Sequence, residues 1–283
     1  MIPVAPAQFD DLILSLDTKI ECSDLGFFSK PFRITYQGEE LIIKTYLPLR
    51  NNSLVSYIIE NHNKYVAELN SIGIKIPDTT IAMRQIKGKQ QIIIIQKPFH
   101  ENELLRSIIK KASITELFSL CQLIFKDIQK FWSGKKVLMP IGFHPTLRNY
   151  ALRQSELYYL DTFPPMLMEQ KNLNHLILTM APYETFIKKI IPSQLINRVS
   201  NEYYHLDKMF SGVVGSCCRL RPEFSSDILE FSLNYLKTGC QFSGKEKEST
   251  YKLLQKPPDL SGLWILVRKL TGNKGEPNIK TIP

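Results

Sequence analysis

Up to about residue 96, the apolar residues of this chain come in short runs separated by turn residues. Segments 19–22, 31–36 and 40–46 read as strands, and Gln37-Gly38 folds the last two into a hairpin. Segments 79–84 and 91–96 read as a second pair across Lys87-Gly88-Lys89. The run Ile92, Ile93, Ile94, Ile95 lacks alternation, which is the pattern of a strand covered on both faces. Between the pairs the period changes. Leu54, Ile58, Tyr65, Val66, Leu69 and Ile72 form one stripe of a helix that Ser53 caps and Gly73 ends. A short helix is also predicted over 9–17.

After Lys97-Pro98-Phe99 the texture becomes helical. Segments 101–111 and 113–133 carry apolar residues at helical spacing, and Ser113 with Glu116 makes a capping box. Further helices are predicted near 183–191, 193–215, 226–238, 246–255 and 259–271, and the Gly/Pro/Lys-rich tail 272–283 is expected to fray. The fold class is therefore α+β: a small antiparallel β-rich part, then a larger, mostly helical part.

One stretch of the helical part, 137–165, reads differently. Two β-prone segments, 149–152 and 157–160, flank the polar Arg153-Gln154-Ser155-Glu156, so they form a hairpin. Asn149 opens its first strand and Asp161 closes its second, which brings an amide and a carboxylate to one end. Those hard oxygen donors suit Mg²⁺, which takes few protein ligands and completes its shell with phosphate and water. The plainer reading is a surface hairpin, since Asn and Asp are common in turns.

Composition narrows the setting. The chain has 283 residues, 43% hydrophobic and 22% charged, enough for one large domain or two lobes. No apolar run approaches the roughly 18–20 residues of a membrane span, and the N-terminus, with Asp10 and Asp11 ahead of its apolar residues, makes a poor signal peptide. Five cysteines without metal spacing argue against a disulfide framework or a zinc site and fit a reducing cytoplasm. The net charge of +9 allows an anionic partner. The basic residues are dispersed, without a block or aromatic interleaving, which speaks against nucleic acid.

The order of these parts resembles the protein-kinase-like phosphotransferases, and most of all the aminoglycoside/choline-kinase-like branch. Lys44 in Leu41-Ile42-Ile43-Lys44 is similar to that family's strand lysine, and residues 65–77 resemble its helix-then-G-I-x-V-P passage. Residues 92–99 resemble the last strand and hinge. Asn149 matches the catalytic-loop asparagine, and Asp161 matches the metal-binding aspartate. The resemblance implies two lobes, residues 1–97 binding nucleotide and 98–283 carrying the hairpin and acceptor site, with ATP and Mg²⁺ as cofactors and a small hydroxylated metabolite as acceptor. It implies that Glu60 or Glu68 aims Lys44, although the family's acidic position falls nearer Asn61-His62. It also makes 23–30, with its single glycine, the phosphate-covering loop, and gives Arg148 the task of neutralising charge on the transferred group.

The match fails at one place. Where the family has an aspartate that receives the acceptor's proton, this chain has His144, and the family's preceding histidine is Gly142. Three outcomes follow. His144 serves as the general base; or transfer proceeds without a base, at a cost of roughly 10²–10⁴ in rate; or the protein is a kinase-like binding protein without catalysis. A further reading, motivated by charge, is modification of RNA or protein on the same scaffold.

Overall fold

The computed structural model describes residues 20–21, 28–29, 31–135, 140–180 and 193–255. Strands β1 (Ile20–Glu21), β2 (Phe32–Tyr36), β3 (Glu39–Thr45), β4 (Thr79–Ile86) and β5 (Lys89–Gln96) form one antiparallel sheet in the order β1-β2-β3-β5-β4. Both expected hairpins are present. Their turns carry two successive residues with positive φ, Gln37 and Gly38 at 50° and 82°, Lys87 and Gly88 at 46° and 73°. That pattern matches the right-handed twist of the strands it joins.

The sheet has two faces, and the pleat sorts side chains between them. Phe32, Ile34, Leu41, Ile43, Ile93 and Ile95 make a small cluster on one face. Ile92 and Ile94 enter the main core on the other, so the unbroken isoleucine run is covered on both sides, as its pattern implies. Lys44 alternates with Leu41 and Ile43 and pairs with Ile94 across the ladder. It thus points inward, toward the helices.

Helix α1 (Asn52–Ser71) lies between β3 and β4 in sequence. Its cap is Asn51, whose side chain accepts from the Leu54 N–H at 3.0 Å, rather than the expected Ser53. Both residue types cap helices, and the outer one takes the position here. The buried stripe is Val55, Ile58, His62, Tyr65 and Leu69, with Asn61 beside it. Gly73, at φ 84°, ends the helix in a left-handed turn closed by Ile74 N–H to Leu69 O at 2.9 Å.

Helices α2 (Leu105–Lys111) and α3 (Ile114–Gly134) follow, and the Ser113 capping box forms as its sequence predicts. The inward side of α3 buries Leu117, Cys121, Ile124, Phe125, Ile128 and Phe131, each contributing about 1.5–3 kcal/mol of apolar burial for its larger side chains. From α3 a chain of rings runs toward the 142–149 loop: Phe131 on Phe143 at 4.9 Å, and Phe143 on Tyr159 at 4.9 Å. The loop is therefore seated on the core.

Strands β6 (Tyr150–Arg153) and β7 (Glu156–Tyr159) form the predicted separate hairpin. Helices α4 (Gln170–Met180), α5 (Ser193–Tyr204), α6 (Leu206–Leu220), α7 (Ser225–Thr238) and α8 (Gly244–Leu254) complete the described chain. The single helix expected over 193–215 is two helices, because His205 is extended at φ −117°, ψ 124°. The break lets the end of α5 meet the loop: Phe143 N–H donates to Tyr203 O at 2.8 Å, and Tyr204 OH to Met168 O at 2.7 Å.

The helices predicted over 9–17, 183–191 and 259–271, the tail 272–283 and most of the 23–30 loop lie outside the described residues. Among the described residues, no helix is long and apolar enough to cross a membrane, and Cys121, Cys217, Cys218 and Cys240 are buried free thiols.

Candidate functional site

The β6–β7 hairpin pairs Tyr150 with Tyr159 at its base, and Leu160 N–H donates to Asn149 O at 2.7 Å just beyond that pair. Asn149 and Asp161 therefore emerge side by side, as the sequence pattern implies. Asn149 ends a short 3₁₀ turn (Leu147–Asn149). Its Nδ2 donates to His144 O at 3.0 Å, which leaves Oδ1 as the amide's remaining acceptor. The Phe163 N–H bonds the Asp161 carboxylate. Burial raises the pKa of Asp161, and the positive charges of Lys44 and Arg148 oppose that shift.

Lys44 reaches this end from the sheet. Its Nζ donates to Leu160 O at 2.8 Å, and Gln96 Nε2 donates to the same oxygen at 3.2 Å. Burial lowers the lysine's pKa, while Asp161 pulls it back up. The usual lot of a strand lysine, a solvent-facing ammonium, does not apply here.

Neither glutamate named from sequence stands against that amine. Glu60 is exposed and bonds Lys64 Nζ at 2.6 Å, one turn along the outer face of α1. Glu68 lies about 9 Å of helix rise beyond the residue that does face the amine. That residue is His62, 1% exposed, with Nε2 2.8 Å from Thr162 Oγ1. Burial and the nearby Lys44 charge lower its pKa to about 4, so its ring is neutral at neutral pH. The periodicity of α1 settles the matter: 55, 58, 62, 65 and 69 face inward, while 60 faces away.

His144 packs against Tyr203, ring centroids 4.4 Å apart, with Nδ1 3.4 Å from Asn149 Nδ2. Burial, aided by the Arg148 charge, lowers its pKa to about 3. Arg148 lies within electrostatic reach of His144, Asp161 and Tyr203, and its Nη1 is buried without a hydrogen-bond partner. The glycine at 142 also has a steric reason. A Cβ there would lie 3.0 Å from the Tyr204 ring, 3.2 Å from Met166 and 3.3 Å from Tyr203, so α5 fills the space a larger side chain needs. On the sheet side, Tyr46 stacks on Phe163 at 3.8 Å and Phe28 meets the same ring edge-on at 6.2 Å.

Five of the residues named from sequence thus gather at one place: Lys44, His144, Arg148, Asn149 and Asp161. Sequence reading missed Thr162, Gln96 and Tyr203, and it named the position of His62 without choosing it. The inward stripe of α1, together with the family's acidic position falling nearer Asn61-His62, was the signal for His62. Chemically, the site sets two cations, Lys44 and Arg148, around a pair of hard oxygen donors, the Asn149 amide and the Asp161 carboxylate. Among the described residues, no group of three or more His, Cys, Asp or Glu side chains gathers to cage a metal by itself, so a cation bound here needs further oxygens from a ligand.

The fold and site define a mixed α+β protein, a small antiparallel sheet packed on a helical body, with a cationic polar cluster where they meet. The model of the DUF6206 family, a family of unknown function, matches residues 15–275, and the chain belongs to that family. Among curated proteins, none matches it.

Proposed function

We propose that this protein is a two-lobed, protein-kinase-like phosphotransferase that binds Mg-ATP between its sheet-bearing and helical parts and acts on a hydroxyl of a small metabolite. The observation that carries the reading is the Lys44 amine seated on the carbonyl that precedes Asp161, with Asn149 across the hairpin base. A β-strand lysine, a hairpin asparagine and a following carboxylate meeting this way is the arrangement phosphoryl transfer uses. The residues present also fit the group: two hard oxygen donors for one small ion, and a buried Arg148 Nη1 that lacks a partner.

When bound, ATP supplies the phosphoryl group and Mg²⁺ neutralises its oxygens. Lys44 holds the phosphate chain, unaided by a glutamate, through its setting between Leu160 O, Asp161 and His62. Asn149 and Asp161 are the metal ligands. Arg148, beside His144 and Asp161, adds positive charge where the group in transfer meets the acceptor. His144, neutral and weakly basic, orients Asn149 and takes little of a proton, so the chain works by positioning and charge neutralisation rather than by a strong base. The buried thiols fit a cytoplasmic setting.

The same feature favours a second reading. A histidine with a pKa of about 3 where the family has a carboxylate also suits a kinase-like protein that binds nucleotide without transfer. Thermal unfolding with Mg-ATP is the first test. At 100 times the dissociation constant the protein should gain about 2.7 kcal/mol, and Asp161→Ala should lose the Mg²⁺-dependent part. No gain in the wild type removes both readings. A gain without ADP release, across a panel of hydroxylated acceptors, leaves only the binding protein.

A further inference from the structure

The acceptor end of this site differs in charge from what an amine substrate needs. It is formed by the 142–149 loop, with His144 and Arg148, and by Tyr203 at the end of α5. Between Asp127 and Glu156 the chain has no acidic residue. Asp127 is bound to Lys130 at 2.9 Å on α3, and Glu156 pairs with Lys75 at the far end of the hairpin. Glu202, beside Tyr203, is exposed, and its charge reaches the Tyr203 ring from the solvent side. Asp161 sits at the Lys44 side. Among the described residues, this end is thus formed by the Arg148 guanidinium and the His144 and Tyr203 rings, with Asp161 within electrostatic reach of Arg148. The guanidinium's Nη1 is already buried and donates no hydrogen bond, and among the described residues no carboxylate forms an ion pair with Arg148.

We infer that the acceptor carries an oxyanion, a carboxylate or phosphate, close to the hydroxyl it presents, and that Arg148 binds that oxyanion. This rests on the phosphotransfer reading and names its substrate class. The physical case is an inequality. A guanidinium with a buried, unpartnered Nη1 gains charge-assisted and often bidentate hydrogen bonds from an oxyanion, whereas an ammonium held nearby meets a like charge, and Asp161, the described carboxylate in reach of Arg148, is already shared with Lys44. In the reaction, the acceptor oxygen forms a bond to the γ-phosphorus. The bond from that phosphorus to the bridging oxygen breaks, ADP leaves with the electron pair, and the hydroxyl proton passes to water.

The test uses the whole chain loaded with a non-hydrolysable ATP analogue and Mg²⁺, titrated calorimetrically with matched probes. Glycerate and glucose 6-phosphate carry the two oxyanions, glycerol and glucose are their uncharged counterparts, and ethanolamine is the cation. At least one oxyanion probe should bind about 10- to 100-fold more tightly than its uncharged counterpart, and ethanolamine should bind more weakly than glycerol. Arg148→Ala should collapse the oxyanion preference and Arg148→Lys should keep part of it, so the lysine variant remains informative if the alanine variant unfolds. Equal binding of charged and uncharged probes, or preference for ethanolamine, overturns the inference while a Mg-ATP thermal shift keeps the phosphotransfer reading standing. Absence of that shift overturns both.

Discussion

The two ends of the β6–β7 hairpin are fastened in opposite ways. At the turn end the ties are ion pairs open to water. Arg153 grips Glu103 through Nε at 2.6 Å and Nη2 at 2.8 Å, donates to Pro98 O at 2.9 Å and lies over the Phe99 ring at 4.2 Å. Lys75 pairs with Glu156. At the base end the polar groups are buried, and several lack partners: His62 Nδ1, Thr146 Oγ1 and Arg148 Nη1. Buried polar atoms without partners cost stability. One end holds the hairpin against the connector and the sheet; the other is kept under-satisfied, which is where a ligand has something to contribute.

The sharpest way to break this contrast is acid. His62 is neutral in the fold with a pKa of about 4, against an ordinary value of 6.5. A histidine whose folded pKa is depressed binds fewer protons folded than unfolded. Its contribution is therefore fully present above 6.5 and lost as pH falls to about 4, at up to about 1.4 kcal/mol per pH unit. His62→Gln should make the stability profile shallower over that window, His144, lowered to about 3, supplying the slope that remains, as followed by urea unfolding at a series of pH values. An unchanged profile would mean the base end is not the buried, desolvated place described.

The turn end should respond at lower pH and more weakly. The hydrogen bonds from Arg153, first of all, hold the Glu103 carboxyl down at about 2 against an ordinary 4.5. A depressed carboxylate stabilises above its unfolded pKa, so this contribution is lost between 4.5 and about 2. The pair is partly exposed, 35% and 19% for its two side chains, and solvent screening limits it. Arg153→Ala should cost about 1–2 kcal/mol at neutral pH, including the lost stacking on Phe99. Glu103→Gln should reduce the acid dependence in that lower window while leaving the part that belongs to His62 and His144. If both variants behave as the wild type, the hairpin is held by its backbone alone.

What could be read from the sequence divides along the same line. Local pattern was sufficient for the hairpin, for Asn149 and Asp161 at one end of it, and for the doubly covered isoleucine strand, because pleat and turn are short-range. It also set the fold class and the capping box at Ser113. It failed where a position's meaning depends on a partner far along the chain. Glu60 has the chemistry expected opposite Lys44, yet helix period turns it to solvent, and His62 takes the place instead. Tyr203 reaches His144 only because α5 breaks before His205, and nothing in segment 193–215 marks that break, since no glycine or proline falls near it. The vacancy at Gly142 is likewise filled from α5, so the glycine's reason is tertiary.

The smallest effect is expected at the tip of the turn, and it has a built-in control. All three hairpins turn on two residues of positive φ, but two of them place glycine second, Gly38 and Gly88, while the third has Gln154 and Ser155 at φ 51° and 64°. A residue with a Cβ pays roughly 1 kcal/mol to sit there, and glycine does not. Ser155→Gly should therefore stabilise by about 0.5–1 kcal/mol, seen as a higher denaturant midpoint at constant slope. Because Ser155 is exposed and remote from Lys44 and Asp161, the variant should gain the same stabilisation from Mg-ATP as the wild type. A loss of stability would show that the serine side chain does something the backbone geometry does not reveal. A change in nucleotide response alone would join the two ends of the hairpin energetically, and their separation into a structural end and a functional one would have to be given up.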